Sequence, residues 1–325
     1  VDEGAEPGDI VAIAGLSKAT VADTWCAMEL TEALPAQPID PPTISMTLSV
    51  NDSPLAGREG DKVQSRVIAA RLQKEAESNV AIRVTETSEK DAYEVAGRGE
   101  LQLGVLIENM RREGFELAIS RPRVVYQNDP ETGERMEPIE DVVIDVDDEY
   151  TGVVIEKLSQ RKAELKDMSP SGAGKTRITL KCPSRSLIGY QGEFLTDTRG
   201  SGVLNRVFSH YEPFKGAIEG RRNGVLVSTG DGETVAYALW NLEERGIMFV
   251  GSGEKTYQGM IIGENAKPQD LDVNPLKGKQ LTNVRASGKD EAVRLTPPRR
   301  PTLEQAIAYI EDDELVEVTP KSIRL

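Results

Sequence analysis

Positively charged side chains are concentrated in residues 277–300 of this 325-residue chain. The segment has seven cations against two acids, a net charge of +5. The cations are Lys277, Lys279, Arg285, Lys289, Arg294, Arg299 and Arg300. Lysine and arginine at this density can neutralise phosphate groups. Glycines, prolines and the scarcity of large apolar residues indicate a long loop, residues 274–300. The pattern predicts a phosphate-binding loop, with a solvated surface loop as the alternative.

The chain as a whole is acidic, with 54 acids, 39 bases and a net charge of −15. Much of the excess lies in residues 129–149, which carry ten acids and one base. Charges farther apart than a Debye length, ~8 Å in physiological salt, are largely screened from each other. The acidic total therefore does not exclude a nucleic-acid partner, because the local charge decides.

Three short segments look like phosphate-binding motifs of nucleotide-binding proteins. Residues 171–176 end like a Walker A motif, but a predicted helix precedes them and a strand follows, the reverse of the order that a P-loop needs. Gly97-Arg98-Gly99 joins a strand to a helix, but Gln102 stands at the place of a third glycine. Residues 197–200 match a GTPase Asp-x-x-Gly, yet the chain has no guanine-specifying Asn-Lys-x-Asp. We predict no nucleotide site here.

Few other residues carry chemistry. His210 is the only histidine, so a histidine-based metal site is excluded. Cys26 and Cys182 lack metal-ligand spacing, and we expect buried, reduced thiols. No Ser/His/Asp or Cys/His arrangement is apparent. We therefore predict no catalytic residue and no metal site.

The elements that position these residues form a β-α-β-β-α-β series twice. The first copy has strands at 43–50, 80–84, 93–96 and 115–119, and helices at about 61–77 and from 100. Its first helix has an apolar stripe of Val63, Val67, Ala70 and Ala76, and its second has one of Leu103, Leu106, Ile107 and Met110. Arg98 lies in the turn before the second helix. Glycines beside it leave room for a phosphate to approach its guanidinium, and a local salt bridge is the alternative.

The second copy has strands at 139–146, 177–182 and 203–208. Its helices cover 150–165 and a segment from the N-cap Ser184 through Phe194. Arg199 lies in the loop after that second helix and has the same two interpretations as Arg98. Two ferredoxin-like α/β sandwiches in tandem are the economical interpretation.

Residues 216–325 lack this pattern. They have strands at 224–228, 247–250, 258–263 and 315–318, a helix at 234–244, and a capping box, Thr302 to Gln305, that opens a helix through Ile310. Trp240, on the first of these helices, is assigned to the hydrophobic core, with a base-stacking platform as the alternative. The predicted fold class is α+β, with two sandwiches followed by a mixed, β-rich C-terminal domain.

Several motifs resemble a known family. Residues 97–103 with 121–126 resemble the third domain of translational GTPases related to elongation factor G, and residues 189–190, 195–202 and 208–211 resemble their fifth. No fourth domain fits between Gln127 and Pro138. That omission, together with residues 281–288 and 312–320, resembles the BipA/TypA subfamily. Residues 8–15 resemble the last strands of the β-barrel second domain.

The resemblance implies four domains: the end of the barrel at 1–37, the third domain at 38–128, the fifth at 129–215 and a subfamily domain at 216–325. It implies a bacterial, cytoplasmic, ribosome-associated translation factor linked to stress adaptation and ribosome assembly, positioned in the ribosomal A site by these domains. GTP and Mg²⁺ would belong to a GTPase domain absent from this chain, which would then hold no cofactor and be no enzyme itself.

Partners under this hypothesis are the ribosome, ribosomal RNA and A-site tRNA, bound by a monomer. No membrane is expected, since no apolar run approaches ~18–20 residues. The RNA-binding residues would be the seven cations of the basic loop, Arg98 and Arg199. A factor of the LepA-like branch and a small-molecule regulatory module remain as alternatives.

Overall fold

The computed structural model describes residues 4–15, 23–36, 40–278 and 294–325. Within them the chain has six α-helices and open, largely antiparallel sheets. The predicted α+β class is therefore confirmed. No described helix has the length and apolar character that a bilayer crossing requires.

The N-terminal segments differ from the prediction. Residues 4–15 and 23–36 contain no strand, and Ile10, Val11 and Cys26 are exposed. A barrel strand is held by hydrogen bonds to neighbouring strands and by an apolar core beneath it. No strand among the described residues pairs with residues 8–15, so the barrel remnant is not confirmed. The prediction of a buried thiol at Cys26 is wrong.

The first unit contains a four-stranded antiparallel sheet in the order β4-β1-β3-β2. Its elements are β1 (Ile44–Val50), α1 (Ser65–Ser78), β2 (Arg83–Glu86), β3 (Ala92–Gly97), α2 (Glu100–Arg112) and β4 (Leu117–Ser120), and the short β5 (Arg123–Val124) also pairs with β1. This is the strand order of a β-α-β-β-α-β unit. The predicted apolar stripe of α2 is confirmed, because all four of its residues are buried.

The predicted stripe of α1 is only partly correct. The helix begins after Val63, which therefore lies outside it. The buried residues of α1 are Ile68 and Leu72, one turn apart, while Val67 is half-buried against the core and Ala70 is exposed. The face that contacts the sheet therefore includes only part of the predicted stripe.

The second unit repeats the strand order as β10-β7-β9-β8. Its elements are β6 (Gln127–Asn128), β7 (Arg135–Asp147), α3 (Thr151–Gln160), β8 (Glu164–Gly172), β9 (Lys175–Pro183), α4 (Tyr190–Asp197) and β10 (Val203–Pro213). Prediction missed β8 and extended α3 over its start, because nearly every residue of β8 is exposed and no apolar alternation marks it. Ser184 opens a 3-10 turn rather than α4, and Gly189 is the N-cap of α4.

The third sheet has the order β13-β15-β11-β16, with β11 and β16 parallel. The elements of the chain from residue 225 onward, which include this sheet, are β11 (Val225–Ser228), β12 (Gly232–Glu233), α5 (Ala236–Leu242), β13 (Gly246–Met248), β14 (Lys255–Thr256), β15 (Ile261–Asn265), β16 (Leu271–Val273), α6 (Leu303–Tyr309), β17 (Leu315–Val318) and β18 (Ile323–Arg324). β12 and β14 pair only with each other. The capping box of α6 is confirmed, since Thr302 and Gln305 each bond the other's backbone N–H.

The last two strands return to the first sheet. β17 pairs antiparallel with β4, and β18 pairs with β17. A single apolar core therefore contains residues of the first unit, such as Ile119, together with Val316 and Val318 of β17 and Ile307 of α6. Residues 216–325 therefore contribute strands to two sheets: β17 and β18 extend the first, and β11, β13, β15 and β16 form the third. The predicted domain limits at 37, 128 and 215 stay predictions.

A buried carboxylate joins these strands. Glu317 of β17 is 5% exposed. It accepts hydrogen bonds from the Asn51 amide (3.0 Å), the Ser53 hydroxyl (2.7 Å), the Tyr257 hydroxyl (2.9 Å) and the Arg324 guanidinium (3.1 Å). One side chain thus links the loop after β1, the third sheet and β18.

A second buried carboxylate, Glu116, holds the loop after β1. It accepts backbone N–H groups of Gly57 (2.7 Å), Glu59 (3.1 Å) and Gly60 (2.7 Å), and the Asn51 amide (3.1 Å). Burial by itself would raise the pKa of Glu116, but these donors outweigh it and lower the pKa below the ordinary value.

We expect Glu317→Ala to lower the free energy of unfolding by about 3–5 kcal/mol, because the Tyr257 hydroxyl and one N–H each of Asn51 and Arg324 lose this buried acceptor. Urea unfolding followed by circular dichroism measures this. The matched control is Glu94→Ala, which removes an exposed glutamate from the same sheet and should change stability by less than about 0.5 kcal/mol. Equal losses in the two variants would contradict the role assigned to Glu317.

Stability should fall in acid partly through Glu116. Because its folded-state pKa is lowered, the carboxylate stabilises the fold above its ordinary pKa of 4.5, and this contribution is lost as pH falls through the lowered value. Urea unfolding between pH 7 and pH 3 should therefore show a shallower decline below about pH 4.5 in Glu116→Gln, which should also be less stable at pH 7. Parallel curves for the two proteins would contradict this.

Candidate nucleic-acid interface

The predicted RNA-binding cations lie in three places, and three of them, Lys279, Arg285 and Lys289, lie outside the described residues. Lys277 and Arg294 flank that gap and are exposed. Neither forms an ion pair with a described residue. Arg299 and Arg300 follow on the surface of the third sheet. Arg98 and Arg199 lie on the first and second units.

The first end of the basic loop is held on α5. The Val235 N–H, at the N-cap of α5, donates to the Pro275 carbonyl at 3.0 Å. Leu276 packs on Gly230 and Gly232, where a Cβ atom would lie 3.3 Å from its methyl groups. Lys277 therefore projects from an anchored segment.

The second end is held on the opposite end of α5. Leu295 packs against the core of the third sheet, and the Thr296 N–H donates to the Glu243 carboxylate at 2.6 Å. The Arg299 N–H donates to the Met248 carbonyl at 2.9 Å. Both described ends of the loop are thus anchored on α5 and β13, which together form the base of the loop.

Arg299 and Arg300 are engaged by carboxylates. The Arg299 guanidinium lies 3.1 Å from Glu264 and over the ring of Phe249, 5.0 Å from its centroid. Arg300 forms an ion pair with Glu254, and this pairing raises the pKa of the guanidinium. Their positive charge is partly neutralised in place, so any role in RNA binding stays a prediction.

Arg98 occupies the predicted strand-to-helix turn and is exposed. Its N–H donates to the Gln102 side chain at 2.8 Å, and its carbonyl accepts from the Thr43 hydroxyl at 3.2 Å. The residue borders a cavity of about 300 Å³ between the first and second units, which Arg206 and Phe208 also line. The backbone is fixed, while the guanidinium forms no ion pair with a described residue.

The joint beside Arg98 connects the two units. The Gly189 N–H donates to Glu100 at 2.9 Å, and Arg206 lies 3.7 Å from both Glu100 and Glu140. Burial at this joint raises the pKa of Glu100. Gly189 has φ +73°, and a Cβ atom there would lie 2.7 Å from that of Ala308 in α6. Glycine is required on both counts.

Arg199 ends α4 in the left-handed region, with φ +50°. This conformation is uncommon for a residue with a side chain. Its side chain is exposed and forms no ion pair with a described residue. Arg98 lies beside Phe208 and Arg199 precedes Val203, positions that are about 16 Å apart along β10. The structure therefore does not gather the two arginines into one cluster.

The motif look-alikes have structural roles. Residues 172–175 form the turn of the β8–β9 hairpin, so the Walker A resemblance has a strand on each side and no helix N-terminus to meet a phosphate. Lys175 lies 3.9 Å from Asp147. Asp197 forms an ion pair with Lys157 at 2.7 Å. Cys182 is buried as predicted, and burial raises the pKa of its thiol to about 12.

Sequence reasoning misplaces one aromatic residue. Trp240 is predicted in the core, but it is 49% exposed on α5, and Ala238 and Leu239 are buried instead. The signal that could have found this is the spacing itself, since Ala238, Leu239 and Leu242 already supply one apolar face and leave Trp240 on the other.

Comparison with known proteins assigns the two C-terminal segments. Residues 134–222 match the elongation factor G C-terminus, and residues 223–325 match the TypA/BipA C-terminal domain. The chain is thus of the elongation-factor-G-like class. The second match distinguishes the branch within that class: the chain belongs to the BipA/TypA family.

Curated relatives agree over the whole chain. The Large ribosomal subunit assembly factor BipA of Escherichia coli K12 is 53% identical over 322 residues, 99% of this chain and 53% of the relative. Those of Haemophilus influenzae and Synechocystis are 51% and 47% identical over 100% and 99% of this chain, and 52% and 53% of the relatives. The chain spans about half the length of these relatives. A solved structure from Thermus thermophilus aligns at a TM-score of 0.36 and 14% identity over 56% of this chain and 42% of its own, too distant to support an argument.

The prediction that this is a non-enzyme fragment lacking a GTPase domain is wrong as a classification of the protein. The curated relatives, each named Large ribosomal subunit assembly factor BipA, align with 99% or more of this chain, so the matches give no ground for classifying it as a fragment without enzymatic activity. The absence of a guanine-specifying Asn-Lys-x-Asp motif is a statement about these 325 residues alone.

We expect Arg299→Ala to lower the free energy of unfolding by about 1 kcal/mol, because it removes a partly exposed ion pair and a cation–π contact. Thermal unfolding measures the change. The matched control is Arg294→Ala, at an exposed arginine without a described ion pair, which should unfold as the unsubstituted chain does. Equal destabilisation by both substitutions would contradict the structural role of Arg299.

Proposed function

We propose that this chain is the ribosome-binding and RNA-binding part of a bacterial translation factor that acts in assembly of the large ribosomal subunit. The relatives that align over 99% of the chain carry the name Large ribosomal subunit assembly factor BipA, which supports this role. In the proposal the partners are the ribosome, ribosomal RNA and A-site tRNA, and the factor is a cytoplasmic monomer linked to stress adaptation.

The observation that carries the proposal is the anchored base of the basic loop. Lys277 and Arg294 lie next to the two segments that are anchored at the ends of α5. Both are exposed cations, and neither forms an ion pair with a described residue. The segment between them adds Lys279, Arg285 and Lys289. A cationic loop on a fixed base can reach phosphates while the domain beneath keeps its orientation.

The acidic excess of the chain does not oppose this binding. Several acids of residues 129–149 are neutralised locally: Asp145 forms two hydrogen bonds of 2.9 Å with Arg177, and Glu137 forms an ion pair with Arg185. The rest belong to the second unit rather than to the third sheet. Beyond about a Debye length, ~8 Å, such charges are screened from phosphates at the loop.

Arg98 and Arg199 contribute separate contacts in the proposal. Each lies on a turn whose backbone is fixed, and each guanidinium is exposed. Contacts to phosphate from two different units would set the orientation of the factor in the A site. The left-handed conformation of Arg199 closes α4: its N–H donates to the Thr196 carbonyl at 3.2 Å, and the Gly200 N–H donates to the Leu195 carbonyl at 2.8 Å. This cap fixes the backbone and leaves the guanidinium exposed.

The alternatives have less support. The match of residues 223–325 to the TypA/BipA C-terminal domain favours this branch over the LepA-like one. A small-molecule regulatory module would need a pocket with convergent polar groups. In the cavity between the first two units, Glu140 and Arg206 lie 3.7 Å apart and pair with each other.

The test is binding to purified large ribosomal subunits across a salt series. We expect the fourfold variant Lys277→Ala, Lys279→Ala, Lys289→Ala and Arg294→Ala to bind more weakly and to lower the slope of log affinity against log salt by about three to four units, somewhat less than one per cation. Sedimentation of the chain with the subunits measures both quantities.

The control for this test is the double variant Arg299→Ala and Arg300→Ala. It removes two cations that carboxylates already engage, so its salt slope should change less. An unchanged slope and affinity in the fourfold variant would refute RNA binding by the basic loop and return it to a solvated surface loop.

A further inference from the structure

The outer face of α5 carries an exposed aromatic ring, that of Trp240, with a second ring beside it. Trp240 is 49% exposed, and its ring centroid lies 6.4 Å from that of the half-buried Tyr237, with the planes tilted by 39°. The opposite face of the helix is buried through Ala238 and Leu239. Trp240 therefore contributes little to the core, and its large apolar ring is available to a partner.

The position of this face limits the kinds of ligand that could bind to it. The N-terminal end of α5 holds Pro275, two residues before Lys277, and its C-terminal end holds Thr296, two residues after Arg294. The aromatic face thus belongs to the helix from whose two ends the exposed cations depart.

We propose that Trp240, with Tyr237 beside it, is a stacking platform for an unpaired base of RNA. Aromatic rings bind bases through their faces, and adjacent cations hold the phosphates of the same strand. Bases in a duplex are already stacked on their neighbours, so the platform selects single-stranded segments, loops or ends. This inference rests on the proposed RNA binding and adds the kind of RNA that the site accepts.

The chain offers a direct optical test. It has two tryptophans, so Trp25→Phe leaves Trp240 as the single tryptophan, whose emission can be excited selectively over that of the tyrosines. Titration with an eight-residue oligouridylate should quench its emission, while an RNA duplex of the same length should quench it little. Trp240→Ala should weaken oligouridylate binding roughly 5- to 100-fold, the usual effect of losing one stacked base, and Trp240→Phe should retain much of the affinity.

The matched control is Ile247→Ala, which removes another 49% exposed apolar side chain from the same sheet region. It should bind the oligouridylate as the unsubstituted chain does. The salt slope should be unchanged in Trp240→Ala, because stacking releases no counterions.

The outcomes separate the two proposals. Salt-dependent binding that Trp240→Ala leaves unaltered, without quenching, would overturn the platform and leave the basic loop standing. Equal weakening of single-stranded and duplex binding would also overturn it, since the contact would then be to backbone. If the unsubstituted chain bound neither the oligonucleotides nor large ribosomal subunits, both proposals would fail.

Discussion

The pairing of β17 with β4, sealed by the buried Glu317 carboxylate, is the constraint on which the arrangement of the chain depends. The pairing of β17 with β4 alone would not connect β17 to the neighbouring loop after β1. The hydrogen bonds of Glu317 to Asn51, Tyr257 and Arg324 connect β17 to three other segments. A buried charge tolerates little displacement, because each lost partner leaves it desolvated. The third sheet is therefore held against the first, and the base of the basic loop inherits that fixed position.

A second joint relates the middle unit to the other two. Gly189 touches α6 through a contact that no side chain could replace, and its N–H binds Glu100 at the start of α2. The paired Arg206 extends the joint along β10. Arg98 lies at this joint on the first unit and Arg199 lies on the second unit, so the joint between the units sets their separation. A surface that contacts a large partner at several points needs such rigid spacing.

Charge on this chain is divided between side chains that hold the fold and side chains left available. Arg299 and Arg300 look in the sequence like the other cations of the basic loop, yet carboxylates engage both. Lys277 and Arg294 belong to the same basic segment, but neither forms an ion pair with a described residue. The difference follows from β15 and the Glu254 turn lying beside residues 299–300, which places acids within reach. Availability, rather than charge, distinguishes a phosphate contact from a structural ion pair.

The sequence by itself determined the elements whose pattern is complete within a few residues. The stripe of α2, the capping box at Thr302 and strand β17 were predicted correctly, because helical spacing, a cap and alternation depend on near neighbours along the chain. Tertiary structure decided the face of α1, the existence of β8 and the partner of β17. Each of these depends on contacts between residues far apart in the chain, and apolar side chains do not encode which distant partner will cover them.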